Sequence, residues 1–164
     1  MGVLVGDALQ SLAIEVLAKD RSLIHLQHKT GNLVAVLSEA AGSTGLIGGQ
    51  ALDIALVESN GSIELHTVFR LKTAKLIQSS VKLGALMCDD LDEQDYEALC
   101  EYGEAVGLAF QYIDDHLDGE HLEEDLFHKA TEFKDQAINA VQRLNGTDSS
   151  NLVQAAKFVV ERKY

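Results

Sequence analysis

The sequence predicts an all-α protein, and three observations support this fold class. The 164 residues include no proline, and aromatic residues make up only 5% of the chain. Alanine and leucine, which favour helices, are abundant. Apolar residues recur at the spacing of amphipathic helices through most of the sequence. A chain of this length fits one helical bundle with a substantial core, and we predict a single domain over residues 1–164.

The first part of the chain contains three predicted helices. Apolar residues show helical spacing over residues 3–19 and again over residues 22–41. The third helix reaches about Leu56 and is punctuated by Gly42, Gly45, Gly48 and Gly49. Small residues in this segment allow a neighbouring helix or a ligand to approach closely. A loop over residues 58–62 then interrupts the helical pattern.

The second part of the chain contains four predicted helices. A long helix covers residues 63–87, and the next one covers residues 93–117, with Asp92 as its N-cap. Two further helices are predicted over residues 122–144 and 150–162. No linker or low-complexity segment separates these elements.

Three aspartates, Asp114, Asp115 and Asp118, cluster where the helix over residues 93–117 ends, and Gly119 is expected to terminate that helix. Negative charge at a helix C-terminus opposes the macrodipole by about 0.3–1 kcal/mol per group. A bound cation would relieve this cost, and clustered carboxylates suit Mg²⁺, which also bridges to substrate phosphates. The alternative is a solvated acidic helix end, since the whole chain is acidic.

Composition excludes several classes of partner. The chain has 13 basic and 26 acidic residues, and its net charge of −13 repels nucleic acid and anionic membrane surfaces. No apolar run reaches the roughly 18 residues of a membrane span, and no N-terminal signal pattern is present. We predict a cytoplasmic protein. Cys88 and Cys100 lack the paired spacing of a zinc or redox site, and we expect buried thiols.

The acidic motif and three earlier segments resemble the trans-isoprenyl diphosphate synthases, the all-helical enzymes that make farnesyl, geranylgeranyl and longer prenyl diphosphates. Residues 101–118 are similar to the family's second aspartate-rich region. Residues 6–18, 42–53 and 66–77 match other family segments in order and approximate spacing. The resemblance is good over residues 3–118 and weak beyond them, and it implies a truncated isoprenoid synthase fold.

The resemblance also implies a site and an activity. In this family, Mg²⁺ ions draw diphosphate from an allylic substrate, and the resulting cation alkylates isopentenyl diphosphate before a proton is lost. Lys72, Asp114 and Asp115 would take the catalytic roles. The residues that would hold the metal are Asp114, Asp115 and Asp118, and those that would bind the allylic diphosphate or line its cavity are Lys72, Thr73, Gln111, Gln50 and Asp53.

The chain also departs from the family's pattern. Family members are nearly twice as long, and their first half carries another aspartate-rich motif and the basic residues that bind isopentenyl diphosphate. Neither is present here, and the lysine-bearing loop that normally follows the second motif is missing after Asp118. Residues 160–163 resemble the family's basic ending. We therefore expect a lone chain to be incomplete, and to work with a complementary N-terminal chain or as a homo-oligomer.

Two other hypotheses stay open. A non-catalytic homologue would bind a prenyl diphosphate or regulate a full-length relative. The missing catalytic segments favour this hypothesis, whereas the retained Lys72, Gln111 and three aspartates count against it. A transition-metal helical bundle would use the pairs Asp118-x-x-His121 and Asp125-x-x-His128, which repeat at seven residues on one helical face. The four ordered segments favour an incomplete member of the prenyltransferase family over both.

Overall fold

The computed structural model describes residues 1–19, 27–56, 63–119, 125–146 and 148–162, and it contains no strand within these ranges. The described residues are mainly helical, which confirms the predicted all-α class. The elements are α1 (Gly2–Lys19), α2 (Thr30–Ala41), α3 (Leu46–Leu56), α4 (Leu65–Phe69), a π-helical segment (Arg70–Ala74), α5 (Lys75–Leu86), α6 (Glu93–Asp118), α7 (Leu126–Val141) and α8 (Ser150–Glu161).

Helix α6 begins and ends where the local chemistry predicts. The Asp92 carboxylate accepts a hydrogen bond from the backbone N–H of Asp95 at 2.8 Å, which is an N-cap contact. At the other end Gly119 adopts the left-handed conformation, with φ of 72°, and its N–H donates to the His116 carbonyl. The aspartate-rich motif therefore occupies the last turn of this helix.

Helix α6 is also the centre of the core. It packs against α5, α7, α8 and the π-helical segment. One buried cluster joins Tyr112 to Phe69 of α4 and Val160 of α8. A second cluster surrounds Tyr102, whose hydroxyl donates to the Leu152 carbonyl at 2.9 Å. The middle of α6 is therefore enclosed by neighbouring helices, whereas residues 116–118 in its last turn are exposed.

The N-terminal helices begin later than the apolar pattern predicts. Helix α2 starts at Thr30 rather than at residue 22, after a short 3₁₀ turn, and residues 20–26 lie outside the described part of the chain. Helix α3 starts at Leu46, because Gly42 has an extended backbone with ψ of −160° and ends α2. The predicted loop over residues 58–62 lies outside the described residues.

The C-terminal helices follow the prediction more closely. Helix α7 starts after Asp125, whose carboxylate accepts from the backbone N–H of His128 at 3.0 Å. Residues 120–124, where the predicted start lies, are outside the described part. Helix α8 matches its predicted range.

Helix α1 differs from the others because it contributes no buried residue. It packs on α2, and its large apolar side chains stay accessible, with Val3 78%, Leu9 60% and Leu12 51% exposed. Large exposed apolar surfaces are uncommon on monomeric proteins. Among the helices that the structure describes, none combines the length and apolar character that crossing a membrane requires.

The two cysteines do not both match the expectation of buried thiols. Cys88 is exposed, because it follows the last residues of α5, whereas Cys100 is half-buried on α6. Burial raises the pKa of the Cys100 thiol; Lys82 opposes this effect, and the nearby carboxylates of Glu97 and Glu101 add to it. The prediction was therefore wrong for Cys88.

Candidate active site

Lys72 and Thr73 lie in the π-helical segment Arg70–Ala74, which interrupts an otherwise continuous helix between α4 and α5. The residues on both sides of the segment keep ordinary α-helical backbone angles. Single-turn π-helical insertions are rare and occur frequently at functional sites. Here the insertion directs two consecutive side chains to two different helices, Lys72 to α3 and Thr73 to α6.

The Lys72 ammonium forms the first group of contacts. It donates to the Asp53 carboxylate at 2.8 Å, and the same carboxylate oxygen accepts from the Gln50 amide at 3.2 Å. The Lys72 and Asp53 side chains are 33% and 31% exposed. The predicted residues Gln50, Asp53 and Lys72 are therefore brought together in an ion pair that solvent and ligands can reach.

Gly49 makes this first group of contacts geometrically feasible. It is buried where α3 crosses the π-helical segment, and an added Cβ would lie 2.2 Å from the Lys72 backbone nitrogen. The neighbouring atoms are backbone, so no side-chain rotation could relieve the overlap. Only glycine allows α3 to approach closely enough for Asp53 to meet Lys72.

Thr73 begins the second group of contacts. Its hydroxyl donates to the Gln111 amide oxygen at 2.5 Å, and the Gln111 amide nitrogen donates to the Asp115 carboxylate at 2.5 Å. Asp115 is only 6% exposed. Gln111 thus connects the π-helical segment to the acidic end of α6.

Asp114 and Asp118 are not part of either group. The Asp114 carboxylate accepts from Arg162, the residue after α8, at 2.7 Å. Asp118 lies exposed in the last turn of α6. Sequence reasoning did not place Arg162 in the site, and the only signal for it was the basic character of residues 160–163.

The three aspartates as they stand form no ready Mg²⁺ site, although one or two carboxylates with waters and substrate phosphates can hold this ion. Asp114 is occupied by Arg162, Asp115 is buried against Gln111, and Asp118 is exposed. In the described parts of the chain, no group of three or more histidine, cysteine, aspartate or glutamate side chains is placed to hold a metal ion. The Mg²⁺ site stays a prediction from the resemblance.

The transition-metal alternative also stays untested. His121 lies outside the described residues, and the Asp125 carboxylate serves as the N-cap of α7. The His128 ring instead lies 3.6 Å from the Glu132 carboxylate on the same helix. These contacts are typical of a solvated helix surface.

Aromatic side chains support the site from the core side. His66 of α4 is within hydrogen-bond distance of the Tyr112 hydroxyl, 3.2 Å, and its ring stacks on Phe133. Tyr112 also stacks on Phe133 and meets Phe69 edge-on with ring centroids 4.9 Å apart. This cluster fixes α4 against α6 immediately before the π-helical segment.

A cavity of about 520 Å³ lies along α6 and α7 beside His66, and it contains none of the predicted site residues.

Fold and site together define a class: an all-helical protein with a polar, lysine-bearing site between helices that face one another. The chain belongs to the polyprenyl synthetase family, whose family model matches residues 1–148.

Curated relatives agree with this membership. The chain is 37% identical to a farnesyl diphosphate synthase of Escherichia coli over 118 residues, which cover 71% of this chain and 39% of the relative. It is 38% identical to geranylgeranyl pyrophosphate synthase 9 of Arabidopsis thaliana over 122 residues, which cover 72% of this chain and 34% of the relative. The chain thus matches well under half the length of these two relatives.

Solved structures show the same fold. An FPP/GFPP synthase from Zymomonas mobilis superposes with a TM-score of 0.83 at 32% identity, covering 96% of this chain and 60% of that chain. A geranyltransferase from Legionella pneumophila superposes with a TM-score of 0.82 at 30% identity, covering 98% of this chain and 59% of that one. The described helices therefore adopt the fold of isoprenyl diphosphate synthases.

Proposed function

We propose that this chain forms the diphosphate-binding part of a prenyltransferase that condenses isopentenyl diphosphate with an allylic diphosphate. The observation that carries the proposal is the π-helical segment. Within this segment the Lys72 ammonium contacts Asp53 of α3 at 2.8 Å, and the Thr73 hydroxyl contacts the Gln111 amide of α6 at 2.5 Å. The relatives named as farnesyl and geranylgeranyl synthases support the same activity.

Lys72 has the main electrostatic role in this proposal. Its ammonium is held by Asp53 but remains one-third exposed, so a phosphate oxygen can replace the carboxylate as its partner. A diphosphate that leaves an allylic carbon gains negative charge, and a positioned ammonium stabilises that charge. Thr73 and Gln111 supply a hydroxyl and an amide that orient the phosphate oxygens. Asp53 and Gln50 hold Lys72 in place before the ligand arrives.

Another polypeptide completes the proposed active site. The chain covers only 39% of the Escherichia coli relative and 60% of the Zymomonas mobilis structure. We propose that a complementary N-terminal chain or a second copy supplies the missing part, and the exposed apolar face of α1 supports such an association. The described helices would then act as a single domain within the complete assembly.

A non-catalytic diphosphate-binding or regulatory homologue is the second candidate. The contact that favours it is the ion pair between Asp114 and Arg162, which occupies an aspartate that the resemblance assigns to the metal. In that case the chain would bind an allylic diphosphate at Lys72 without turning it over.

Calorimetric titration with inorganic diphosphate and with geranyl diphosphate tests the binding step. Lys72→Met should weaken both affinities by about 10- to 100-fold, because hydrogen bonds to charged groups contribute about 1.5–3 kcal/mol. Lys75→Met, which removes the same charge one turn later on α5, is the matched control and should change affinity by less than about twofold at physiological salt. Equal effects of the two substitutions would disprove the proposed role of Lys72.

A condensation assay then separates the two candidates. Labelled isopentenyl diphosphate and geranyl diphosphate are incubated with the purified chain, with divalent cations present, and the products are extracted. Product from the chain alone would show that self-association completes the site, and Lys72→Met should remove that product. Diphosphate binding without any product, even after a full-length relative is added in inactive form to supply the missing half, would favour the non-catalytic homologue.

A further inference from the structure

Arg162 makes an unusual set of contacts at the end of α8. Its Nη2 donates to the Asp114 carboxylate at 2.7 Å and lies 3.3 Å from the Phe110 carbonyl. Its guanidinium carbon lies 3.8 Å above the centre of the Phe110 ring. The side chain is only 15% exposed. The last turns of α6 therefore hold the guanidinium of a residue that lies 48 positions after Asp114 in the sequence.

The guanidinium is held by few contacts for its burial. Its Nε atom is buried and has no hydrogen-bond partner among the described residues. A buried donor without an acceptor is unfavourable, so the ion pair with Asp114 and the contact with the Phe110 ring must retain the side chain. Such a group can leave more readily than an arginine whose donors are all satisfied.

The backbone geometry allows this departure. Arg162 lies just beyond Glu161, the last residue of α8, and its ψ of 146° is extended rather than helical. One backbone hydrogen bond, from its N–H to the Phe158 carbonyl at 3.1 Å, ties it to the helix. Arg162 can therefore swing away from α6 while the rest of α8 stays packed.

We propose that Arg162 is an internal counter-cation that keeps Asp114 closed to divalent ions until the end of α8 moves away. The guanidinium and a divalent ion would compete for the same carboxylate, and their like charges exclude simultaneous binding in a half-buried position. This inference rests on the proposed function for its biological role, since the resemblance assigns Asp114 to the metal that accompanies a diphosphate, whereas the competition for the carboxylate can be measured without diphosphate. It explains why the three aspartates do not fit Mg²⁺ as they stand.

Mn²⁺ titration followed by electron paramagnetic resonance, without any diphosphate, tests this inference. Arg162→Met should strengthen Mn²⁺ binding by about tenfold or more, because the apparent affinity rises by the inverse of the fraction in which the site is open. Arg143→Met is the matched control: it removes an arginine that pairs with Glu101 on the other side of α6, and it should leave the affinity within about twofold. Equal gains in both variants would overturn the proposal.

The double variant Arg162→Met with Asp114→Asn checks the partner, and it should lose the gain in affinity. If the gain persists in the double variant, Arg162 acts on some other group and the proposal is wrong. Circular dichroism confirms that each variant is folded.

A second measurement uses the unaltered protein. Saturating Mn²⁺ should accelerate exchange of the Arg162 amide hydrogen by about tenfold or more, because displacement of Arg162 breaks the bond from its N–H to the Phe158 carbonyl. Unchanged exchange at saturation would contradict displacement.

The inference and the proposed function can fail separately. Loss of diphosphate affinity in Lys72→Met with no Mn²⁺ gain in Arg162→Met would refute only the counter-cation. Unchanged diphosphate affinity in Lys72→Met, together with stronger Mn²⁺ binding in Arg162→Met, would refute only the proposed role of Lys72. The competition between Arg162 and a divalent ion for Asp114 would then still stand.

Discussion

Replacing Gly49 by alanine is the sharpest structural test of the site. The added Cβ would lie 2.2 Å from the Lys72 backbone nitrogen and 2.6 Å from the Leu71 carbonyl carbon. Favourable contacts between heavy atoms lie at about 3.5–4.0 Å. Helix α3 would have to move by about 1 Å or more, and this shift would carry Asp53 away from Lys72.

The energetic effect follows from the rigidity of the contact. Overpacking of a core typically costs about 1–3 kcal/mol, and the cost is at the upper end when the clashing atoms are backbone. For a chain of this size, 1 kcal/mol corresponds to about 2–4 °C in melting temperature. We expect Gly49→Ala to lower the melting temperature by about 4–10 °C and to weaken diphosphate binding as well.

Thermal unfolding followed by far-ultraviolet circular dichroism measures this change, and Gly84→Ala is the matched control. An added Cβ at Gly84, on α5, would meet no atom within 4 Å. Alanine is a better helix former than glycine by about 0.5–1 kcal/mol, so this control should melt slightly above the unaltered protein. If Gly49→Ala melts at or above the temperature of the unaltered protein, the close approach of α3 to the π-helical segment is refuted.

Three further predictions concern other parts of the molecule. Iodoacetamide at pH 8 should modify exposed Cys88 several-fold faster than Cys100, because burial raises the pKa of the Cys100 thiol and only the thiolate reacts. Equal rates of modification, measured by peptide mass spectrometry, would contradict this. Asp95→Ala should lower the free energy of unfolding in urea by about 1–3 kcal/mol, because the buried Asp95 carboxylate accepts from the backbone N–H of Asn145. A loss below about 0.5 kcal/mol would show that this hydrogen bond is dispensable. The double substitution Leu9→Lys with Leu12→Lys should reduce the molar mass measured by light scattering, because these exposed side chains on α1 form the proposed association surface. An unchanged molar mass would place the interface elsewhere.

The ends of α6 could be predicted from local chemistry. The π-helical segment between α4 and α5 could not be predicted in this way. Asp92 and Gly119 act through contacts with residues a few positions away, so their roles can be read from the sequence. The π-helical segment depends on contacts between helices distant in sequence. An added Cβ at Gly107 of α6 would lie 2.5 Å from the Ala74 Cα, so backbones press on the segment from α6 as well as from α3. The glycines of the sequence indicate that helices can approach closely, but they do not indicate which backbone each glycine meets.

The membership of the site stays a prediction from the resemblance, and the contacts between its residues come from the structure. The resemblance groups Lys72, Thr73 and Gln111, and the structure brings Thr73 and Gln111 into direct contact. Consecutive helical residues point about 100° apart, so spacing alone leaves open which of Asp114 and Asp115 faces which neighbour. The contact of Asp114 with Arg162 joins residues 48 positions apart, and no local rule predicts it.

The charge balance of the site limits what this chain can bind by itself. Lys72 is paired with Asp53, and Arg162 is paired with Asp114, so each cation is already neutralised by a carboxylate of the same chain. Asp115 adds a further carboxylate beside Gln111. A diphosphate brings several more negative charges, and it must either displace these internal partners or meet positive charge supplied from outside the described chain. These two ion pairs would therefore oppose diphosphate binding at the proposed site of this chain. It follows that a partner which contributes cations should raise the affinity for diphosphate more than any substitution that improves the hydrogen bonds of Thr73 or Gln111.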